Sequence, residues 1–178
     1  MINDVWKKFD EIDLRHSSVH HLLAIYTLNN EHGYARATDV AGQLKLSRAS
    51  VSITLRKLRD KGYVSEDQNK FLRLSAKGRD LTKAVLSKRH LLELFFANIL
   101  GVAAETAETD ACKVEHLITD ETSAKLLSFI ELYLSDNEAA INYRKEFAAH
   151  VHHCKDASCA VCRKSCYFAG KEELFKRT

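Results

Sequence analysis

The 178-residue chain carries 27 Lys and Arg against 24 Asp and Glu, a formal net charge of +3, with 46% hydrophobic residues. That is enough chain to bury a core without disulfide staples. No apolar run approaches the ~20 residues a membrane-crossing helix needs, and no export signal opens the chain. A cytoplasmic protein with no membrane partner is therefore expected. The near-balance of charge hides a split. Residues 36–89 hold 14 Lys or Arg against five acids, whereas residues 101–140 hold two Lys against nine acids. A basic part suited to phosphates is joined to an acidic part with carboxylates to spare for a cation.

Proline is absent, which fits a mainly helical chain. In the first fifteen residues Val5, Trp6, Phe9 and Ile12 have the spacing of a short amphipathic helix. Ser17 or Ser18 is placed to cap the next helix, Val19–Leu28, with Val19, Leu22, Leu23 and Tyr26 as its apolar face. After a turn over Asn29–Gly33, two short helices follow, with Thr38 and Ser47 at their starts. Val40, Ala41 and Leu44 give the first an apolar side; Val51, Leu55 and Leu58 give the second. Gly62-Tyr63-Val64 then begins a hairpin that returns through Phe71-Leu72-Arg73-Leu74, with a polar tip over Glu66–Lys70.

Helix, turn, helix and hairpin make a winged helix-turn-helix, which points to a double-stranded DNA partner. The outward face of the second helix mixes charge, hydroxyls and one aliphatic, as a major groove requires. Arg36, Ser47, Arg48, Arg56 and, at the wing tip, Lys70 are the expected phosphate contacts. Ser50, Ser52 and Ile53 are the expected readers of base edges and thymine methyls. None is a bidentate Asn or Gln, so direct readout should be modest and aided by DNA shape.

From Ser75 a long helix is expected, with Leu81, Val85, Leu92, Phe95, Phe96 and Ile99 on its buried side and Gly101 ending it. A helix over Ala104–Leu117 follows. A third begins at Thr119-Asp120-Glu121, where acids suit the macrodipole. Leu126, Leu127, Phe129, Ile130, Leu132 and Tyr133 make that helix apolar over a wide face, which predicts a homodimer interface. A last helix is expected over Asn142–His152. The fold class is thus mainly α: a winged helix-turn-helix over 1–75, an all-helical metal-binding and dimerisation domain over 76–153, and a Cys-rich tail over 154–178.

Candidate ligands fall in the helical part. Cys112-x-x-Glu115-His116 puts a thiol, a carboxylate and an imidazole at i, i+3 and i+4, on one side of a helix and close enough to share an ion. Glu108 lies one turn earlier. His20 and His90 interrupt apolar helices and need partners. Each histidine alone also reads as an ordinary core or surface residue, and the triplet as a helix face of mixed polarity. In the tail, Cys154-x4-Cys159-x2-Cys162-x3-Cys166 follows His152-His153. Four thiols so close suit an iron–sulfur cluster, a structural zinc or redox-active thiols. A small metalloenzyme is a competing reading, but no general base stands beside the ligands, so no enzyme is expected. A metal-independent regulator that binds an organic effector is a further alternative.

Several segments resemble the diphtheria-toxin-repressor family of iron- and manganese-dependent metalloregulators, two-domain type without an SH3-like domain. They are Ile25-Tyr26, Gly33-Tyr34-Ala35-Arg36, Leu74-Ser75-Ala76-Lys77-Gly78, Arg89-His90-Leu91-Leu92-Glu93 and Cys112-Lys113-Val114-Glu115-His116-Leu117. The resemblance covers His20 to Leu134. It implies a metal-activated repressor of metal-homeostasis genes that binds a palindromic operator as a homodimer. It also implies an ion between the two domains. By position it carries ligand roles onto His20, His90, Cys112, Glu115 and His116, and an ancillary one onto Glu108. Three departures stand out: His20 replaces an Asp or Met, Leu23 replaces a carboxylate of manganese-selective members, and Leu94 replaces a frequent acid. A soft thiol with imidazoles suits Fe(II), Co(II) or Zn(II) better than Mn(II). The family's cysteine-bearing members are iron sensors, so Fe(II) is favoured, with Zn(II) second and Mn(II) third.

Overall fold

A computed structural model describes Leu14, residues 16–150 and Lys171. The expected helix of the first fifteen residues lies outside the described residues, as do Cys154, Cys159, Cys162 and Cys166 of the tail. Helix α1 (His16–His32) starts a turn earlier and ends later than its apolar pattern indicates. Five consecutive residues of α1, His21 to Ile25, are buried, because α2, α3 and β2 all pack against it. His21 donates from Nδ1 to the Ser17 carbonyl at 2.6 Å, while its buried Nε2 has no hydrogen-bond partner among the described residues.

Helix α2 (Ala37–Leu44) corrects the expected start at Thr38. Arg36 is the capping position, and its N–H donates to Asp39 Oδ2 at 2.9 Å. The acid three residues into the helix therefore satisfies the backbone there, rather than the hydroxyl. Lys45, at φ 54°, ends α2 and lets the Leu46 N–H reach the Ala41 carbonyl at 3.0 Å. Ser47 caps helix α3 (Arg48–Asp60) as expected, accepting from the Ser50 N–H at 3.2 Å. Val51, Leu55 and Leu58 bury the inner face of α3.

The wing is a two-stranded antiparallel sheet of β1 (Val64–Glu66) and β2 (Leu72–Leu74), with Val64 opposite Leu74. Asp67 Oδ1 shapes its tip by accepting from the N–H groups of Asn69 and Phe71, each at 2.9 Å.

Helix α4 (Ala76–Glu93) is fixed to the wing at its first turn. Ser75 Oγ donates to the Gly62 carbonyl at 2.7 Å and accepts from the Gly78 N–H at 3.0 Å. A Cβ at position 78 would stand 2.2 Å from the Tyr63 carbonyl oxygen, so only glycine fits. The helix continues as a π-helical segment, Leu94–Ile99, in which the Leu100 N–H bonds back five residues to the Phe95 carbonyl at 3.0 Å. Gly101 follows at φ 71°. Helix α5 (Ala104–Val114) stops three residues short of the expected Leu117, and α6 (Asp120–Leu134) is capped by Thr119. The last helix, α7 (Glu138–Ala149), starts four residues earlier than expected because Asn137 caps it, accepting from the Ala139 N–H at 2.8 Å.

The chain folds as two units. One runs through Arg89 and also contains Cys112–Leu117; the other contains His90–Ala111 and the chain from Ile118 onward. The core of the first unit holds Leu22, Ile25, Val40, Val51, Leu55, Leu58 and Leu72 among others. The second unit buries Ile99, Ile130 and Tyr133, packed by Leu91, Phe95, Leu126 and Phe147. It leaves Leu127, Phe129, Leu134, Tyr143 and, at 63%, Leu132 exposed. No helix among the described residues is long and apolar enough to cross a membrane.

Candidate metal centre and nucleic-acid interface

The early start of α1 places His16 and His20 four residues apart, on one side of the helix. Their Nε2 atoms are 3.0 Å apart, and His20 Nε2 is 3.4 Å from Cys112 Sγ. Single donor atoms of His16, His20 and Cys112 all lie within 4.8 Å of one another. Around an ion at ~2.1 Å from nitrogen and ~2.3 Å from sulfur, neighbouring donors stand roughly 3–3.6 Å apart. The observed spacings fall in that range, so these residues fit a divalent ion. His116 Nδ1 stands 3.4 Å from His16 Nδ1, on the other nitrogen of that ring. Such a contact on the far nitrogen sets the tautomer and orientation of a ligating imidazole.

Glu115 follows the end of α5 and is fully buried at 0% exposure. Both its oxygens accept from Arg89, Oε2 from Nε at 2.5 Å and Oε1 from Nη2 at 2.9 Å. Arg89 is half-buried, but without its guanidinium the fully buried carboxylate would stand uncompensated, at a cost of about 3–5 kcal/mol. Arg89 Nη2 also lies 3.9 Å from Cys112 Sγ.

Burial lowers His20 below the usual histidine value of 6.5, and His16 and Arg89 add to the effect against the pull of Glu115. Burial, then His16, lowers His116 in the same way. Both shifts favour the neutral imidazole, the form with a lone pair for a metal.

His90 and Glu108 are placed apart from this cluster in the chain's grouping, in the second unit. They line a cleft of about 380 Å³ together with Glu93 and Asn98. Thus the structure brings His20 and Cys112 together, sets His116 behind His16, and pairs Glu115 with Arg89. His16 was missed from the sequence, although His16-x3-His20 is itself a ligand spacing.

On the outward face of α3, Arg48, Ser50, Ser52 and Arg56 are exposed, and Ile53 is 58% exposed despite being apolar. Ser47 is exposed too, but its oxygen is engaged in the cap. Arg36 lies over the Phe71 ring at 4.7 Å, which holds its guanidinium near the tip end of the wing. Lys70 Nζ is 3.6 Å from Glu66 Oε1 at the wing tip.

Comparison with known proteins bears on both sites. Residues 13–72 match the family described as the iron dependent repressor, N-terminal DNA binding domain. Residues 75–137 match the iron dependent repressor, metal binding and dimerisation domain. A helix-turn-helix transcriptional regulator of Methanocaldococcus jannaschii is 31% identical over 98 residues, covering 55% of this chain and 78% of that protein. The diphtheria toxin repressor of Corynebacterium jeikeium is 29% identical over 121 residues, covering 68% of this chain and 50% of that protein, so the chain spans about half its length. Among solved structures, the manganese regulator SloR superposes with a TM-score of 0.59 at 25% identity, over 64% of this chain and 53% of that one.

Proposed function

Because the chain belongs to the iron-dependent repressor family, whose members are DNA-binding transcription regulators and not enzymes, we propose that it is a metal-dependent repressor responsive to Fe(II). It binds a palindromic operator as a homodimer in the cytoplasm and controls metal-homeostasis genes. The observation that carries this reading is the meeting of His20, on the first helix of the DNA-binding unit, with Cys112, ninety-two residues later. The segment Cys112–Leu117 groups with the DNA-binding unit, yet the chain on both sides of it belongs to the dimerisation unit. Holding that segment to α1 therefore ties the recognition helix to the chain that sets dimer geometry.

When bound, the ion would supply a positive charge and directional bonds to His20 and Cys112. His116 and Glu115 are the further positions the family implies. Residues held in one arrangement no longer pay ordering entropy when two copies of α3 dock into successive major grooves. Arg36, Arg48, Arg56 and Lys70 neutralise phosphates; Ser50, Ser52 and Ile53 face base edges. The exposed Phe129, Leu132 and Tyr143 of α6 and α7, lining an apolar cleft of about 270 Å³, support a dimer through that face. His90 and Glu108 serve a second, weaker ion site in the dimerisation unit.

Zn(II) is the second reading, favoured by the close imidazole and thiol donors, which suit a tetrahedral ion. The four tail cysteines enter as a separate zinc or iron–sulfur holder, which metal and sulfide analysis of anaerobically purified protein distinguishes. The main test is operator binding by fluorescence anisotropy, without oxygen, with Fe(II), Mn(II), Zn(II) or chelator alone. Fe(II) should tighten binding by at least ~10-fold, about 1.4 kcal/mol. Affinity that chelation does not change would overturn the proposal.

A further inference from the structure

We infer that His16 is a ligand of the ion, and that Arg89 keeps Glu115 out of the ligand set, leaving only imidazole and thiolate donors. This rests on the metal-dependent reading above and sharpens which residues, and so which metals, it involves. Neither the spacing within Cys112–Leu117 nor the family positions point to His16; the geometry does.

Two observations carry it. The first is that His16 belongs to the one group of three donors, among the described residues, that stand close enough together to hold an ion. It shares the group with His20 and Cys112, every donor within 4.8 Å of the others, and Glu115 is not in it. Two imidazole nitrogens 3.0 Å apart, with a thiol sulfur 3.4 Å from one of them, match the edges of a metal polyhedron. His16 is exposed at the first turn of α1, where an imidazole gains little from packing and is available to a solute ion. The second is the state of Glu115. Its carboxylate is fully buried and both oxygens are taken by Arg89 in a fork-to-fork pair, the geometry that guanidinium and carboxylate satisfy best. Because Arg89 also approaches Cys112 Sγ, Glu115 acts on the centre through Arg89, as a positioning residue behind the ligands.

The chemical consequence is selectivity. An imidazole in place of a carboxylate removes the hard oxygen that Mn(II) prefers and favours Fe(II), Co(II) and Zn(II). The test uses the full chain, anaerobic, with Co(II) as the probe. Visible spectra report the thiolate-to-cobalt band, X-ray absorption counts imidazoles, and competition titration gives the affinity.

His16→Ala and His16→Asn should each lose one imidazole from the count and weaken Co(II) by more than ~100-fold, beyond the ~10–100-fold typical of residues behind the ligands. Glu115→Gln should keep the imidazole count and the thiolate band, with a loss confined to that ~10–100-fold range. Circular dichroism of each variant confirms the fold, and the exposed position of His16 makes both of its variants tolerable to it. His16 variants that keep the wild-type imidazole count and bind Co(II) within about threefold would overturn the assignment, since a true ligand costs more than a residue behind it. So would loss of one oxygen donor in Glu115→Gln. The two proposals fail separately. If the His16 variants behave as expected while wild-type operator binding ignores metal, the repressor reading fails and the ligand stands. If metal tightens operator binding but the His16 variants keep the full shell, the ligand fails and the repressor reading stands.

Discussion

Two regions of this chain offer the same kinds of side chain and arrange them differently. In the first unit His16, His20 and Cys112 crowd within one ion's reach, with the buried Glu115 paired to the half-buried Arg89 beside them. In the second, His90, Glu93 and Glu108 are spread around an open cleft of about 380 Å³. The first set is assembled by tertiary packing, and burial already depresses His20 and His116 toward the neutral form. The second set is drawn from exposed and half-buried positions on α4 and α5. Residue type thus nominates a ligand, whereas convergence and desolvation decide how tightly a site can hold an ion.

The largest effect that would test this contrast is on stability. Arg89→Ala leaves Glu115 buried without its guanidinium and should cost about 3–5 kcal/mol in denaturant unfolding, whereas Glu93→Ala at the open cleft should cost less than ~0.5 kcal/mol. Comparable losses in the two variants would erase the distinction. Next comes affinity. Cys112→Ala should weaken the tighter ion by ~10²–10³-fold, about 3–4 kcal/mol, and abolish metal-dependent operator binding, as followed by competition titration and anisotropy.

A smaller effect concerns pH. The unfolded histidine value is 6.5 and the folded values of His20 and His116 lie below it. Above 6.5 both states are neutral and stability is full. As pH falls below 6.5, the unfolded chain takes up protons first, so metal-free protein should lose stability until the folded histidines protonate too. Unfolding curves at a series of pH values should show that slope weakened in His20→Gln and intact in His90→Gln; the reverse pattern would put the desolvated histidines in the wrong place. Smallest is the effect of His90→Ala on the tighter ion, expected to stay within about threefold in isothermal titration while the weaker binding event is lost.

The readable parts of the chain were those set by local chemistry. Apolar periodicity gave α3 its buried Val51, Leu55 and Leu58; Ser47 marked its start, and the residues of Tyr63–Leu74 alternate as a hairpin should. Thr38 misled because an acid at Asp39 can satisfy the same backbone group from inside the helix. The centre was only half legible. Cys112 and His20 announced themselves by type and position. The pairing of Glu115 with Arg89 joins residues 26 apart in sequence, and no local pattern encodes it. His16 was hidden because the apolar pattern of α1 begins at Val19, so the polar first turn looked like a connection.

The tight seat of Gly78 under the Tyr63 carbonyl has a consequence for engineering. The wing and the first turn of α4 meet backbone to backbone, with Ser75 bonded to both Gly62 and Gly78. A wing transplanted from another protein to alter groove preference would therefore need to bring its own serine and glycine with it. The interchangeable cassette is the hairpin plus the first turn of α4.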